Sequence, residues 1–207
     1  MKYVNLGRSG LKVSRLCLGC MSYGEPERLP QPWSLDEKAS RPLIRQALEA
    51  GINFFDTANI YSGGSSEEIT GKALREMARC DEIVVATKTF FPWRNSPNTG
   101  FLSHENAALL DKPVIDVVAS IAEKHAVPRA HVAIAWLLSK SVITAPIIGA
   151  TKPEHLSTAI SALDFSLSDA EITELEARYL PHPVDGIIPP LPDTPPSLTP
   201  PSAIQNY

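Results

Sequence analysis

The chain has 207 residues, 43% of them hydrophobic and 20% charged, with a formal net charge of −4. This is an ordinary globular composition, long enough for one domain with a sizeable core, and the scattered Lys and Arg favour neither nucleic acid nor an anionic membrane as a partner. No apolar run approaches a membrane span, and the start, MKYVNLGRSG, lacks the hydrophobic core of a signal peptide, so a cytoplasmic protein is expected.

After a turn at Arg8-Ser9-Gly10, residues 16–19 read as a short strand. Cys17 and Cys20 form a C-x-x-C there, but no second Cys or His pair stands at zinc spacing. With three cysteines in all, neither a disulfide framework nor a metal site is expected, and the run reads as a core strand. Leu43, Ile44, Ala47 and Leu48 repeat at helical spacing until Gly51. INFFDT is a second strand. Ser65 and Glu68 stand three apart, as in a capping box, ahead of Ile69, Ala73, Leu74 and Met77. EIVVATK is a third strand, continuously apolar as a strand buried on both faces should be. Strands alternating with helices at this spacing predict parallel βαβ units.

TFFPWRNSPNTGFLSHENA reads as a loop. A helical pattern resumes with Val114, Ile115, Val118, Ile121 and Ala122, and Pro128 suits the first turn of the next helix. ITAPIIG is a fourth strand, ATKPEHLSTAISAL a loop and helix, and Ser168 with Glu171 a capping box for a last helix ending near Tyr179. Nine of the 21 residues from position 181 to 201 are proline, which suits an extended tail. That tail could be a ligand for an aromatic-lined groove or a plain solvated extension.

Three ionisable groups sit where parallel α/β folds place active sites, at the carboxyl ends of strands. Asp56 closes the second strand, Tyr61 follows it, and Lys88 closes the third. A Tyr has a reference pKa near ~10 and donates a proton poorly unless its phenolate is stabilised, which a neighbouring ammonium does. A carboxylate would hold that ammonium in place, giving a proton donor suited to carbonyl reduction. Taken singly, Asp56 reads as a helix cap, Tyr61 as a packed aromatic and Lys88 as a solvated strand end. A second constellation is IIGATKPEHLSTAI, in which Gly149 permits close approach, Thr151 offers a hydroxyl and Lys152 a charge at a helix N-terminus suited to phosphate, or else the helix is simply capped. There is no G-x-G-x-x-G, so an ordinary Rossmann site is not supported.

The segments LGRSGLKVSRLCLGCMSYG, GINFFDTANIYSGGSSEEITGKAL, VVATK and VAIAWLLSKSVITAPIIGATKPEHL resemble the aldo-keto reductase family, on the side of its aryl-alcohol and versiconal-acetate-type reductases. The resemblance implies a (β/α)8 TIM barrel that uses NADPH to reduce a small-molecule carbonyl. It implies Tyr61 as general acid, Lys88 as its pKa modulator and Asp56 as the partner of Lys88. It also implies cofactor contacts from Gly19, Cys20 and Met21 after the first strand, and from Gly149, Thr151 and Lys152 at the phosphate end. His155 stands where the family usually has Gln.

The same resemblance shows what the chain lacks. The family's catalytic His on its fourth strand, in a QIHR-like segment, has no counterpart, nor do the Asn and Gln that hold the nicotinamide amide. His104 lies in the loop at the junction, while His125, His131 and His182 read as helix-face or tail residues. The sequence passes from the loop after the third strand almost directly to the helix before the eighth, so an internal deletion is expected between about 100 and 112. The expected domain is then residues 1–180, an incomplete barrel with parallel strands in the order 8-1-2-3 and flanking helices, followed by the tail at 181–207. Its free edges suit a homodimer that closes the barrel. The expected function is NADPH-dependent carbonyl reduction; the alternatives are a non-catalytic cofactor-binding or interaction module and a truncated product without activity.

Overall fold

The computed structural model describes residues 1–28, 33–89 and 105–179, with side chains in the last stretch from residue 111 onward. The loop around His104, Trp93 and the proline-rich tail with His182 therefore lie outside the described residues.

The chain begins with a hairpin that its sequence did not announce. Strands β1 (Tyr3–Asn5) and β2 (Lys12–Ser14) pair antiparallel, with Gly7 (φ +55°) and Gly10 (φ +80°) turning the loop between them. At three residues each, these strands are too short to show an alternating pattern. The Asn53 side chain fastens the hairpin to the sheet, accepting from the Ser14 N–H at 2.7 Å and donating to the Lys12 carbonyl at 3.0 Å.

Four parallel strands form the main sheet: β3 (Cys17–Gly19), β4 (Phe54–Asp56), β5 (Val84–Ala86) and β6 (Ile147–Gly149). Their spatial order is β5-β4-β3-β6, with all neighbours parallel. This is the 8-1-2-3 order expected of a partial barrel, and the sheet does not close. Among the described residues β5 and β6 each pair on one side only.

Helices α1 (Glu37–Glu49), α2 (Ser65–Met77), α3 (Glu105–His125), α4 (Arg129–Ser139), α5 (Pro153–Ser161) and α6 (Asp169–Ala177) flank the sheet. In the helix layer α2 packs on α1, α1 on α5 and α5 on α4, so the helices run in the order α2-α1-α5-α4. Leu18, Phe55 and Ile148 share one register row and are buried against Leu43, Ile44, Leu74, Leu156 and Ala159. A smaller apolar cluster joins Ile121, Ala122, Val132 and Leu175.

Some sequence expectations need correction. Val85 is 48% exposed, so β5 is not buried on both faces; as an edge strand it lacks a neighbour to cover it. The Ser65–Glu68 capping box does not form. Ser62 (φ +44°), Gly63 (φ +61°) and Gly64 (φ +86°) make a left-handed run that leads into α2, so Gly64 takes the cap position and Ser65 lies inside the helix. Helix α3 begins at Glu105, inside the segment read as loop. The Ser168–Glu171 box is present with both of its hydrogen bonds.

Candidate active site

The carboxyl ends of the strands carry the chemistry. Gly149, Gly19, Asp56 and Ala86 occupy one register row across the sheet, on four adjacent strands. Asp56 and Gly149 are thus two strand spacings apart, about 10 Å.

Three of the singled-out residues meet at one end of this row. The Lys88 ammonium donates to Asp56 Oδ2 at 2.7 Å and to the Thr57 carbonyl at 2.9 Å. It lies 4.9 Å from the centroid of the Tyr61 ring. Burial, the largest influence, disfavours the charge on Lys88, but the Asp56 carboxylate and the neighbouring Tyr61 outweigh that and hold the ammonium above its ordinary pKa. The Asp56 side chain is 16% exposed and that of Lys88 53%. The carboxylate is thus set into the sheet, while the ammonium stands at an open rim.

Tyr61 owes its position to a set of hydroxyls that the sequence reading missed. It opens a short 3-10 turn, Tyr61–Gly64, that packs against the loop after β3. The buried hydroxyls of Ser34 and Ser62 hydrogen-bond at 2.9 Å. Ser65 Oγ donates to the Ser62 carbonyl at 2.6 Å and accepts from the Glu25 N–H at 2.7 Å. Ser66 Oγ donates to the Cys20 carbonyl at 2.7 Å. Each bond satisfies a backbone or hydroxyl group that burial would otherwise leave unpaired. The small-residue run YSGGSS was the available signal, because a sequence that buries so many hydroxyls beside glycines needs a specific local geometry.

The residues after β3 pack beside Asp56. Gly19 permits close packing, since a Cβ there would lie 2.9 Å from Ile147 Cγ2. Cys20 is fully buried, its N–H donating to the Asp56 carbonyl at 2.8 Å; Met21 is half-buried. Burial pushes both Cys17 and Cys20 up to about 12, and both thiols are free, which agrees with a core strand and not a redox pair.

At the other end of the row Gly149 faces open space, with nothing within 4 Å of where a Cβ would stand. Lys152 caps α5 without a side-chain cap bond, and Pro153 fills the first turn. The exposed Lys152 puts a positive charge beside the room that Gly149 leaves. His155 Nδ1 lies 3.4 Å from both the N–H and the hydroxyl of Thr151, so its ring folds back on the loop. The remaining histidines lie elsewhere: His125 bonds Glu171 at 2.7 Å and His131 bonds Ser161 at 3.0 Å, on the helical layer. Among the described residues no group of His, Cys, Asp and Glu is arranged to hold a metal, and no helix is long and apolar enough to cross a membrane.

The aldo/keto reductase family model matches residues 15–112 and 98–179. The chain belongs to the aldo/keto reductase family. It is 51% identical over 92 residues to a versiconal hemiacetal acetate reductase of Aspergillus parasiticus, which covers 44% of this chain and 26% of that protein. It is 44% identical over 128 residues to a putative aryl-alcohol dehydrogenase of Schizosaccharomyces pombe, covering 59% of this chain and 36% of that protein. The chain thus spans between a quarter and two fifths of the length of these relatives. Its fold also resembles the crystal structure of a thermostable aldo-keto reductase bound to the inhibitor epalrestat. That match has a TM-score of 0.62 and 17% identity, covering 86% of this chain and 100% of the other. Enzymes of this oxidoreductase family generally use NAD(P)H and act on small carbonyl compounds. The open space at Gly149 and the exposed Lys152 fit the phosphate end of such a cofactor.

Proposed function

We propose that this chain is an NADPH-dependent carbonyl reductase that converts an aldehyde or ketone to the alcohol. The observation that carries the reading is Lys88, held at 2.7 Å by Asp56 while its ammonium lies 4.9 Å from the Tyr61 ring centroid. NADPH, when bound, supplies the hydride that the carbonyl carbon accepts. Tyr61 donates its phenolic proton to the carbonyl oxygen as charge develops there. Lys88 stabilises the phenolate left behind, and Asp56 with the Thr57 carbonyl keeps the ammonium aimed at it. Gly149, Thr151, Lys152 and His155 would hold the phosphate end, with Gly19, Cys20 and Met21 lining the floor between. The name of the aryl-alcohol dehydrogenase relative favours an aromatic carbonyl as substrate.

We read residues 1–180 as the reductase domain, shortened by an internal deletion near residues 100–112. Two family matches that overlap at 98–112 support this, as does the short span of the relatives that the chain covers. A cytoplasmic location follows from the same reading. The second reading, a cofactor-binding module without turnover, is favoured by the 53% exposure of the Lys88 side chain, because an open site excludes water poorly. Steady-state assays of NADPH oxidation with aromatic aldehydes separate the two. On the first reading Tyr61→Phe lowers turnover by about 10²–10⁴-fold while NADPH still binds. Wild-type protein that binds NADPH but gives no turnover overturns the first reading in favour of the second.

A further inference from the structure

The sheet and the helix layer end in matching ways. At one end stands β5, whose Val85 is 48% exposed, with α2 above it. Between them lies a cavity of about 390 Å³ whose apolar lining includes Leu74, Ile83 and Val85. At the other end stands β6, whose Ile147 is 60% exposed. The helix α4 that leads into β6 packs between α5 and α3. Among the described residues each end therefore has a strand edge that carries an exposed apolar side chain.

In a ring of parallel strands that all turn the same face inward, a β5 edge can meet only a β6 edge. We propose that a second copy of this chain occupies both, pairing β5 of each protomer with β6 of the other. Four contiguous parallel strands are half of an eight-stranded barrel. A two-fold axis along the barrel keeps all eight strands parallel and produces two identical seams, so the ring closes without an edge. At each seam the second copy covers the cavity around Val85. Closure pairs the edge N–H and C=O groups that otherwise invite open-ended association. The partner's strands then stand on the open side of the Asp56–Lys88 rim. The inference goes beyond the reductase reading and does not depend on it.

Because each seam contains one β5 and one β6, a single substitution on either strand breaks both seams. Light scattering of the full chain across a wide concentration range is expected to give twice the 22.5 kDa of one chain. Val85→Lys and Ile147→Lys, both at exposed positions of the single chain, are each expected to reduce that to one chain's mass with unchanged far-ultraviolet circular dichroism. Folded wild-type protein at the mass of one chain overturns the proposal. So does a mass that keeps growing with concentration, or a dimer that survives both substitutions. The wild-type mass decides alone should either variant fail to fold.

Discussion

Gly24 sets the position of Tyr61 at second hand, and Gly24→Ala exposes that dependence. A Cβ at Gly24 would lie 2.3 Å from Ser62 Cβ and 2.4 Å from Ser62 Oγ. Carbon atoms in contact prefer about 3.5–4.0 Å, so the two segments must separate by more than about 1 Å. Ser62 has little freedom to retreat: it is fully buried, left-handed at φ +44°, bonded to Ser34, and its carbonyl accepts from Ser65. Overpacking of this kind costs about 1–3 kcal/mol, and the left-handed φ of +154° at position 24 adds about 1–2 kcal/mol for an L-residue. Gly24→Ala should therefore destabilise the chain by about 2–5 kcal/mol in urea unfolding. Ser62→Gly removes the clashing atoms. By itself it should change stability by no more than about 1 kcal/mol, since the lost hydroxyl bond is offset by relief of a left-handed serine. The double variant should then recover at least half of the Gly24→Ala loss. Additive effects in this cycle, or a Gly24→Ala protein as stable as wild type, would refute the packing argument. A shift of about 1 Å at the neighbouring Tyr61 should also lower turnover roughly 100-fold, again with recovery in the double variant.

Three further outcomes follow from the geometry. Lys124, then the Ser168 N–H and His125 stabilise the Glu171 carboxylate and hold its pKa well below the usual carboxylate range. A carboxyl depressed in the folded state contributes stability above its unfolded pKa of about 4.3 and loses it as pH falls further, so wild type should lose more stability between about pH 5 and pH 2 than Glu171→Gln does. Lys152→Ala should raise the Kd for NADPH about tenfold, with a smaller effect at high salt, as removal of one charge-assisted phosphate contact at a helix N-terminus should; an unchanged Kd would place the phosphates elsewhere. Thiol labelling of the native chain should modify exposed Cys80 at once and Cys17 and Cys20 only on unfolding, because burial keeps the latter two protonated.

What could be read from the sequence follows the physics of each element. Strands β3 to β6 announced themselves as apolar runs, and their alternation with helices pointed to parallel βαβ units, while the sheet order came from the resemblance to the aldo-keto reductase family. The meeting of Asp56, Tyr61 and Lys88 was legible because proton donation from a phenol needs a cation, and a cation held in one place needs a carboxylate. The hairpin β1–β2 was not, since three-residue strands carry too little periodicity. The hydroxyls of Ser34, Ser62, Ser65 and Ser66 were missed because hydrophobic patterns pass over serine, although these groups hold the Tyr61 turn in place. The failed Ser65 cap has a related cause: the left-handed run of Ser62, Gly63 and Gly64 moved the helix boundary, and a motif three residues apart does not register the backbone before it. Exposure of Val85 depends on a neighbouring strand, which no local pattern encodes.

The most direct test of the central claim is titration of the full chain with NADPH, followed by quenching of tryptophan fluorescence. The account expects saturable binding in the micromolar range, weakened by Lys152→Ala and retained in Tyr61→Phe. A signal that never saturates, or equal quenching by wild type and Lys152→Ala, would contradict a cofactor site running from Gly149 to Lys88.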